Sequence, residues 1–283
     1  MGRQTAADAA AIGRGAELSP GLHAMRFDFL AERTHRPLPW PSGPWVLRMA
    51  WHRLLFAHFE APAAALASGL PRGLELDTFE GRAYLGVVPF EMRSVGPWRL
   101  PGLPGTRRFL ELNLRTYVRC QGVPGVWFFS LDAESRVAVR GARALFHLPY
   151  FDARMSLVPD ARGCLYSSER IHRGAAPARL ALRYGPSADQ SARRWPAFER
   201  WATERYTLFS ADGRGRLYRG DIHHRPWPLQ AAWAEFESNS LASGLGLALD
   251  QAPASLLYAH DLDVVAWPLR PVASVERARV GRP

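Results

Sequence analysis

Glu111, Asn113, Arg115 and Tyr117 fall two residues apart in the run Glu111-Leu112-Asn113-Leu114-Arg115-Thr116-Tyr117-Val118. A strand turns successive side chains to opposite faces. This spacing therefore collects a carboxylate, an amide, a guanidinium and a phenol on one side, with Leu112, Leu114, Thr116 and Val118 on the other. Same-face neighbours lie about 6.6 Å apart, close enough for one small polar ligand to reach three of them. Turned into a cavity, the face offers Glu111 as a proton carrier and Asn113, Arg115 and Tyr117 as ligand-binding groups. Turned outward, it is an ordinary charged surface, or Glu111 and Arg115 form a structural pair.

Other residue types add less. His58, followed by Phe59 and Glu60, is an acid-base candidate, with a hydrogen-bonded core histidine as the alternative. His52 and His58 share a strand face in simple alternation. They would lie about 20 Å apart, too far to hold one metal ion, and no HExxH or CxxC spacing occurs, so no metal site is expected. Cys120 and Cys164 have no catalytic neighbours in sequence, there is no Gly-x-Ser-x-Gly elbow, and Gly213 and Gly215 lack the third glycine of a dinucleotide-binding loop. No cofactor is expected. Arg143 and His147 read as same-face residues of a strand beside the central one, placed to meet Arg115 across a sheet and bind ligand with it.

The elements that must position these groups are mostly strands. Pro37, Pro39, Pro41 and Pro44 form an extended lead-in, followed by a strand over 45–60 and an alanine-rich helix over 61–68 closed by Gly69. A hairpin is expected from 74–79 and 82–92, and a Pro/Gly loop over 96–105 precedes the central strand. That strand, 126–133 and 136–147 read as an antiparallel meander. Further strands are expected at 154–158, 164–172, 179–184, 206–209, 217–222 and 256–267, with a helix over 195–205. The reading is α+β, mostly antiparallel β. It divides into a poorly ordered tail over 1–36, in which Met25 could be the native start, one domain over 37–270 and a basic tail over 271–283.

The chain has 283 residues, and all 36 of its basic residues are arginine, which with 26 acids gives a net charge of +10. The arginines are scattered among acids without a long basic block or a stacking platform, so nucleic acid is not an expected partner. Without lysine the chain can form no lysine Schiff base and present no P-loop lysine. Two cysteines, no apolar run of membrane-spanning length and no secretory leader point to a cytoplasmic protein.

Several motifs together carry a resemblance. Trp51-His52-Arg53-Leu54-Leu55-Phe56-Ala57-His58, Gly73 to Phe79, Gly86-Val87-Val88-Pro89-Phe90, Glu111 to Val118, Phe128 to Ala133, His147-Leu148-Pro149-Tyr150, Thr203-Glu204-Arg205-Tyr206 and His223 to Gln230 closely resemble the bacterial YqjF-like family, domain of unknown function 2071. The resemblance runs over about residues 30 to 270 in order. It implies a fold similar to acetoacetate decarboxylase, a cone-like, largely antiparallel β-barrel around an internal cavity with a few flanking helices. In that decarboxylase family a lysine follows a proline. Here Tyr150 follows Pro149 at the matching place, which removes imine chemistry and leaves Tyr150 as a further acid-base candidate. The resemblance also places the cavity carboxylate in the element that holds Glu111.

Three functions follow as expectations. The first is a cavity protein that binds a small anionic or partly apolar molecule, with Arg115 and Arg143 facing its carboxylate. The second is an enzyme of lysine-independent acid-base chemistry on a small carboxylate or keto compound, using Glu111 with His58 or Tyr150. The third is a structural or partner-binding protein. The expected partners are an unknown small molecule and, as a homo-oligomer, further copies of the chain.

Overall fold

Strands buried on both faces read as apolar runs with little alternation, and four strands among the described residues are of this kind. The computed structural model describes residues 27–98, 104–193 and 196–273. Its elements are β1 (Leu47–Ala61), α1 (Ala63–Ser68), β2 (Glu75–Leu76), β3 (Ala83–Pro97), β4 (Arg108–Cys120), β5 (Val123–Ala133), α2 (Arg136–Phe146), β6 (Tyr150–Pro159), β7 (Cys164–Arg170), β8 (Arg179–Pro186), α3 (Pro196–Thr203), β9 (Thr207–Ala211), β10 (Leu217–His224), β11 (Gln230–Asn239), β12 (Ser255–Ala266) and β13 (Arg270–Pro271). Strands β12, β1, β3, β4 and β5 lie side by side as a shared wall. One ring closes from that wall through β9 and β10, and a second through β6, β7, β8 and β11.

Each ring encloses one core. Leu54, Phe56, Val88, Phe90, Phe128 and Leu257 fill the β9–β10 side, and Leu55, Ala57, Leu85, Leu112, Leu114 and Tyr258 fill the other. β1, β3, β4 and β12 therefore bury both of their faces, and their apolar density follows from that.

Three bulges bend the wall. β1 gains a residue at Arg53 (φ 51°) and β3 at Ser94 (φ 54°), while β5 gains one between its partners of Leu114 and Arg115. A bulge exchanges the faces of a strand. On β1 the cavity side passes from Leu47, Met49 and Trp51 to Leu54 and Phe56. His52 and His58 therefore point to opposite faces, against the simple alternation expected for them. His52 pairs with Asp261 of β12 on the face away from the cavity, and His58 is fully buried beside Phe56 and Phe198.

The segment expected as a third meander strand is helical. In α2 the Ser135 hydroxyl accepts a hydrogen bond from the Ala138 amide at 3.2 Å, the cap that starts a helix, and His147 ends it in the left-handed region (φ 50°). Arg-Val-Ala-Val-Arg alternates like a strand, but Val139, Ala142 and Phe146 also recur at helical spacing, and the cap decides between the two. The helix is the crossover between β5 and β6, which are parallel, so no antiparallel meander forms here. Arg143 and His147 consequently leave the sheet. Arg143 donates to the Tyr150 carbonyl at 2.8 Å, and the His147 ring lies 4.8 Å from that of Tyr218.

Smaller differences have similar causes. The expected hairpin reduces to one bridge between Phe79 and Arg82, because β2 pairs with β4. β3 continues to Pro97 where a loop was expected from 96. β11 was not expected at all, since its Ala and Glu residues favour helix and only sheet pairing with β8 and β12 makes it extended. Residues 27–36, assigned to the tail, pack on β10: Phe29 is buried, and its carbonyl meets His223 Nε2 at 3.2 Å. Met25, residues 1–24, most of the basic tail and Trp195 lie outside the described residues.

Candidate functional site

The β9–β10 ring holds a cavity of about 270 Å³. Its wall is mostly apolar, with Leu54, Phe56, Val88, Phe90, Phe128 and Leu131 among the lining residues. Polar groups enter from β4, which contributes Glu111, Asn113 and Arg115 as its alternation predicts. Tyr117, next on that face, is fully buried in the same core behind the lining.

Glu111 and Arg115 mark two poles. They are four residues apart, about 13 Å along a strand, so they do not form the structural pair considered from sequence. At the first pole the Tyr150 hydroxyl donates to Glu111 Oε2 at 3.0 Å, and both residues are buried. Burial pushes the Glu111 carboxyl up to about 8, against the opposing effect of the Tyr150 hydrogen bond. Burial, together with the neighbouring carboxylate, also holds the Tyr150 phenol well above its ordinary value. The pair is therefore neutral at neutral pH. Leu148 and Pro149 lead directly from α2 into β6, and that short connection sets Tyr150 against Glu111.

At the second pole, Arg115 has no carboxylate partner among the described residues. Its Nη2 donates to the Ala202 carbonyl at 3.3 Å, and its guanidinium lies 5.0 Å from the Phe56 ring centre and 5.7 Å from that of Tyr117. The strand register explains this position. His58, Gly86 and Arg115 are direct neighbours across β1, β3 and β4. A methyl group on Gly86 would stand 3.3 Å from Arg115 Cγ and Tyr117 Oη, so the missing side chain gives Arg115 its room. Near it, the polar atoms Asn113 Oδ1, Arg115 Nε, Tyr117 Oη and both His58 ring nitrogens have no hydrogen-bond partner among the described residues. Buried polar atoms of this kind are where ligands and ordered water bind. Burial, with the Arg115 charge, lowers His58 to about 3, which keeps the ring neutral.

Of the residues expected to act, Glu111, Asn113, Arg115 and Tyr150 thus meet around one cavity, with His58 and Tyr117 directly behind Arg115. Arg143 and His147 do not line it. Thr203, Arg205 and Thr207 do, although they were not singled out from sequence. Arg205 is buried and paired at 2.7 Å with Asp77, whose other oxygen takes Arg119 at 3.0 Å, so unlike Arg115 it has a carboxylate partner. The sequence signal was available, because Arg205 and Asp77 both fall in runs quoted for the family resemblance. No group of three or more His, Cys, Asp or Glu side chains is arranged to hold a metal ion among the described residues.

A family model described as an uncharacterized conserved protein, domain of unknown function 2071, matches residues 48–263. The chain belongs to this family. The family relative YqjF of Bacillus subtilis (strain 168), an uncharacterized protein, is 42% identical over 230 residues, which cover 81% of this chain and 94% of YqjF. Solved structures supply the fold. An acetoacetate decarboxylase from Legionella pneumophila superposes with a TM-score of 0.55 at 16% identity, covering 90% of this chain and 99% of its own. The enduracididine biosynthesis enzyme MppR complexed with pyruvate gives a TM-score of 0.55 at 14% identity, covering 82% and 91%. An acetoacetate decarboxylase-like enzyme from Sphingomonas wittichii RW1 gives 0.52 at 14%, covering 84% and 99%. This family member thus has an acetoacetate decarboxylase-like fold of strands closed into rings.

Proposed function

We propose that the protein binds a small organic anion, with its carboxylate on Arg115 and its apolar part against the Leu54, Phe56, Val88 and Phe90 wall. One observation carries this reading: a guanidinium without a carboxylate partner among the described residues ends a mostly apolar cavity. Such a cation interacts more strongly with an anion than a surface arginine does, because its apolar surroundings lower the local dielectric. The neutral Glu111–Tyr150 pair adds no negative charge to oppose it. MppR, a neighbour in fold, was solved with pyruvate, itself a small organic anion. At such low identity the likeness carries fold alone, and the reading rests on Arg115.

Calorimetric titration with 4-phenylbutyrate and with its neutral amide tests the proposal. The carboxylate is expected to bind about tenfold or more tightly than the amide. Equal affinities would contradict it.

A second reading, lysine-independent acid-base catalysis, has one specific observation in its favour. A carboxyl raised to about 8 holds a proton at neutral pH and can donate or accept it near that pH. In this reading Glu111 is the proton carrier and Tyr150 its hydrogen-bonded partner. Imine formation on a lysine has no place in either reading, since the chain has none.

A further inference from the structure

Five of the eight large apolar side chains that remain exposed among the described residues, Phe27, Val46, Trp98, Val137 and Leu145, gather around the mouth of the cavity; Val158, Leu165 and Ile171 lie on or beside β6 and β7. Val137 and Leu145 of α2 line that mouth and are 46% and 70% exposed. Trp98, 43% exposed, directly follows the lining residue Pro97. Its ring meets Trp45 edge-on at 6.1 Å, and Trp45 stacks on the exposed Phe27 at 5.4 Å. Val46, also exposed, accepts a hydrogen bond from the Trp98 amide at its carbonyl. The result is an aromatic and aliphatic apron about the entrance.

The charge on α2 has one sign. Arg136, Arg140 and Arg143 recur at helical spacing along α2, all exposed, and none has a carboxylate partner among the described residues. α2 contains no acidic residue. An amphipathic helix with arginine on one side and exposed Val and Leu on another, beside Trp and Phe, has the composition of an element that lies in a membrane interface. Charge also argues against a second copy as the occupant. A two-fold interface would set the same arginine stripe close to itself, and like charges repel.

We propose that this apron docks the protein on an anionic bilayer surface, with Trp98, Val137 and Leu145 entering the interface and the α2 arginines meeting lipid phosphates. No helix of the described residues is long and apolar enough to cross a membrane, so the contact is peripheral and reversible. Docking holds the mouth against the phase in which a partly apolar anion accumulates, and the cavity fills from there. The reason for docking rests on the proposed anion-binding function. Docking itself does not, and is measured without any cavity ligand.

The test is co-sedimentation of the full chain with phosphatidylglycerol/phosphatidylcholine vesicles and with phosphatidylcholine vesicles. Wild type is expected to bind the anionic vesicles about tenfold or more tightly, with binding lost in high salt. The double variant Trp98→Ser/Leu145→Ser, which leaves charge unchanged, should lose about tenfold or more, and so should Arg136→Gln/Arg140→Gln. Arg162→Gln/Arg214→Gln removes the same charge from turns that line no part of the cavity and should bind as wild type. Hydrogen exchange of the wild type is a readout independent of any variant's folding: anionic vesicles should slow exchange in α2. Absence of binding to anionic vesicles, undiminished binding by Trp98→Ser/Leu145→Ser, or slowing only outside the apron would overturn the proposal. So would a dimer in sedimentation velocity that Trp98→Ser/Leu145→Ser splits, because a second copy would then cover this face.

Discussion

Replacing Arg115 with methionine is expected to weaken 4-phenylbutyrate binding about 100-fold, or about 2.7 kcal/mol, while the neutral amide binds as before. The size of the effect follows from where the charge sits. A surface arginine contributes little to anion binding because water screens it. Arg115 lies among Phe56, Tyr117 and the Ala202 carbonyl, with no carboxylate among the described residues to compete for it. Methionine preserves much of the aliphatic volume over Gly86 and removes a cation that is costly to keep from water. The melting temperature should therefore stay near that of wild type. A proportionate loss of both probes in Arg115→Met would mean that the side chain only shapes the cavity.

Glu111→Gln is expected to stabilise the protein at neutral and mildly alkaline pH, with a gain that grows between about pH 4.5 and 8. The folded state holds the Glu111 proton up to about 8, against an ordinary value of 4.5. Between those values the native state binds more protons than the unfolded chain, so stability falls as pH rises. The contribution of Glu111 is fully present below 4.5 and lost as pH rises through 8. Glutamine accepts the Tyr150 hydrogen bond and never ionises. At about 1.4 kcal/mol per pH unit, the variant should gain on the order of 3–5 kcal/mol near pH 8 and little near pH 4.5. Urea unfolding of both proteins at several pH values measures this directly. A difference that did not vary with pH would show that Glu111 ionises normally in the folded protein. The same titration acts on the ligand: above about pH 8 an ionised Glu111 repels an anion, so phenylbutyrate binding should decline there in wild type and not in Glu111→Gln.

Much of the site was legible because it lies on one regular strand. Two-residue alternation alone put Glu111, Asn113, Arg115 and Tyr117 together, and β4 itself has no positive-φ interruption between them. Alternation failed where backbone geometry breaks it. One left-handed residue, Arg53, moved His52 to the opposite face from His58, and no residue type in Trp51-His52-Arg53-Leu54 signals that bulge. For α2 the pattern satisfies both periods and the Ser135 cap decides between them; reading 136–147 as a strand misplaced Arg143 and His147 with it. Arg205 was missed for another reason. It and Asp77 both stand in runs that carry the family resemblance, but 128 residues separate them, and no local pattern in either run says that the two pair at the cavity.

The central claim is that Arg115 makes the cavity a site for small organic anions. Mass spectrometry of whatever is released from purified wild type and purified Arg115→Met, prepared side by side, tests it most directly. A carboxylate or other anion of a size that fits about 270 Å³ is expected from wild type and not from the variant. The same molecule released equally from both, or only neutral or cationic molecules from wild type, would contradict the account.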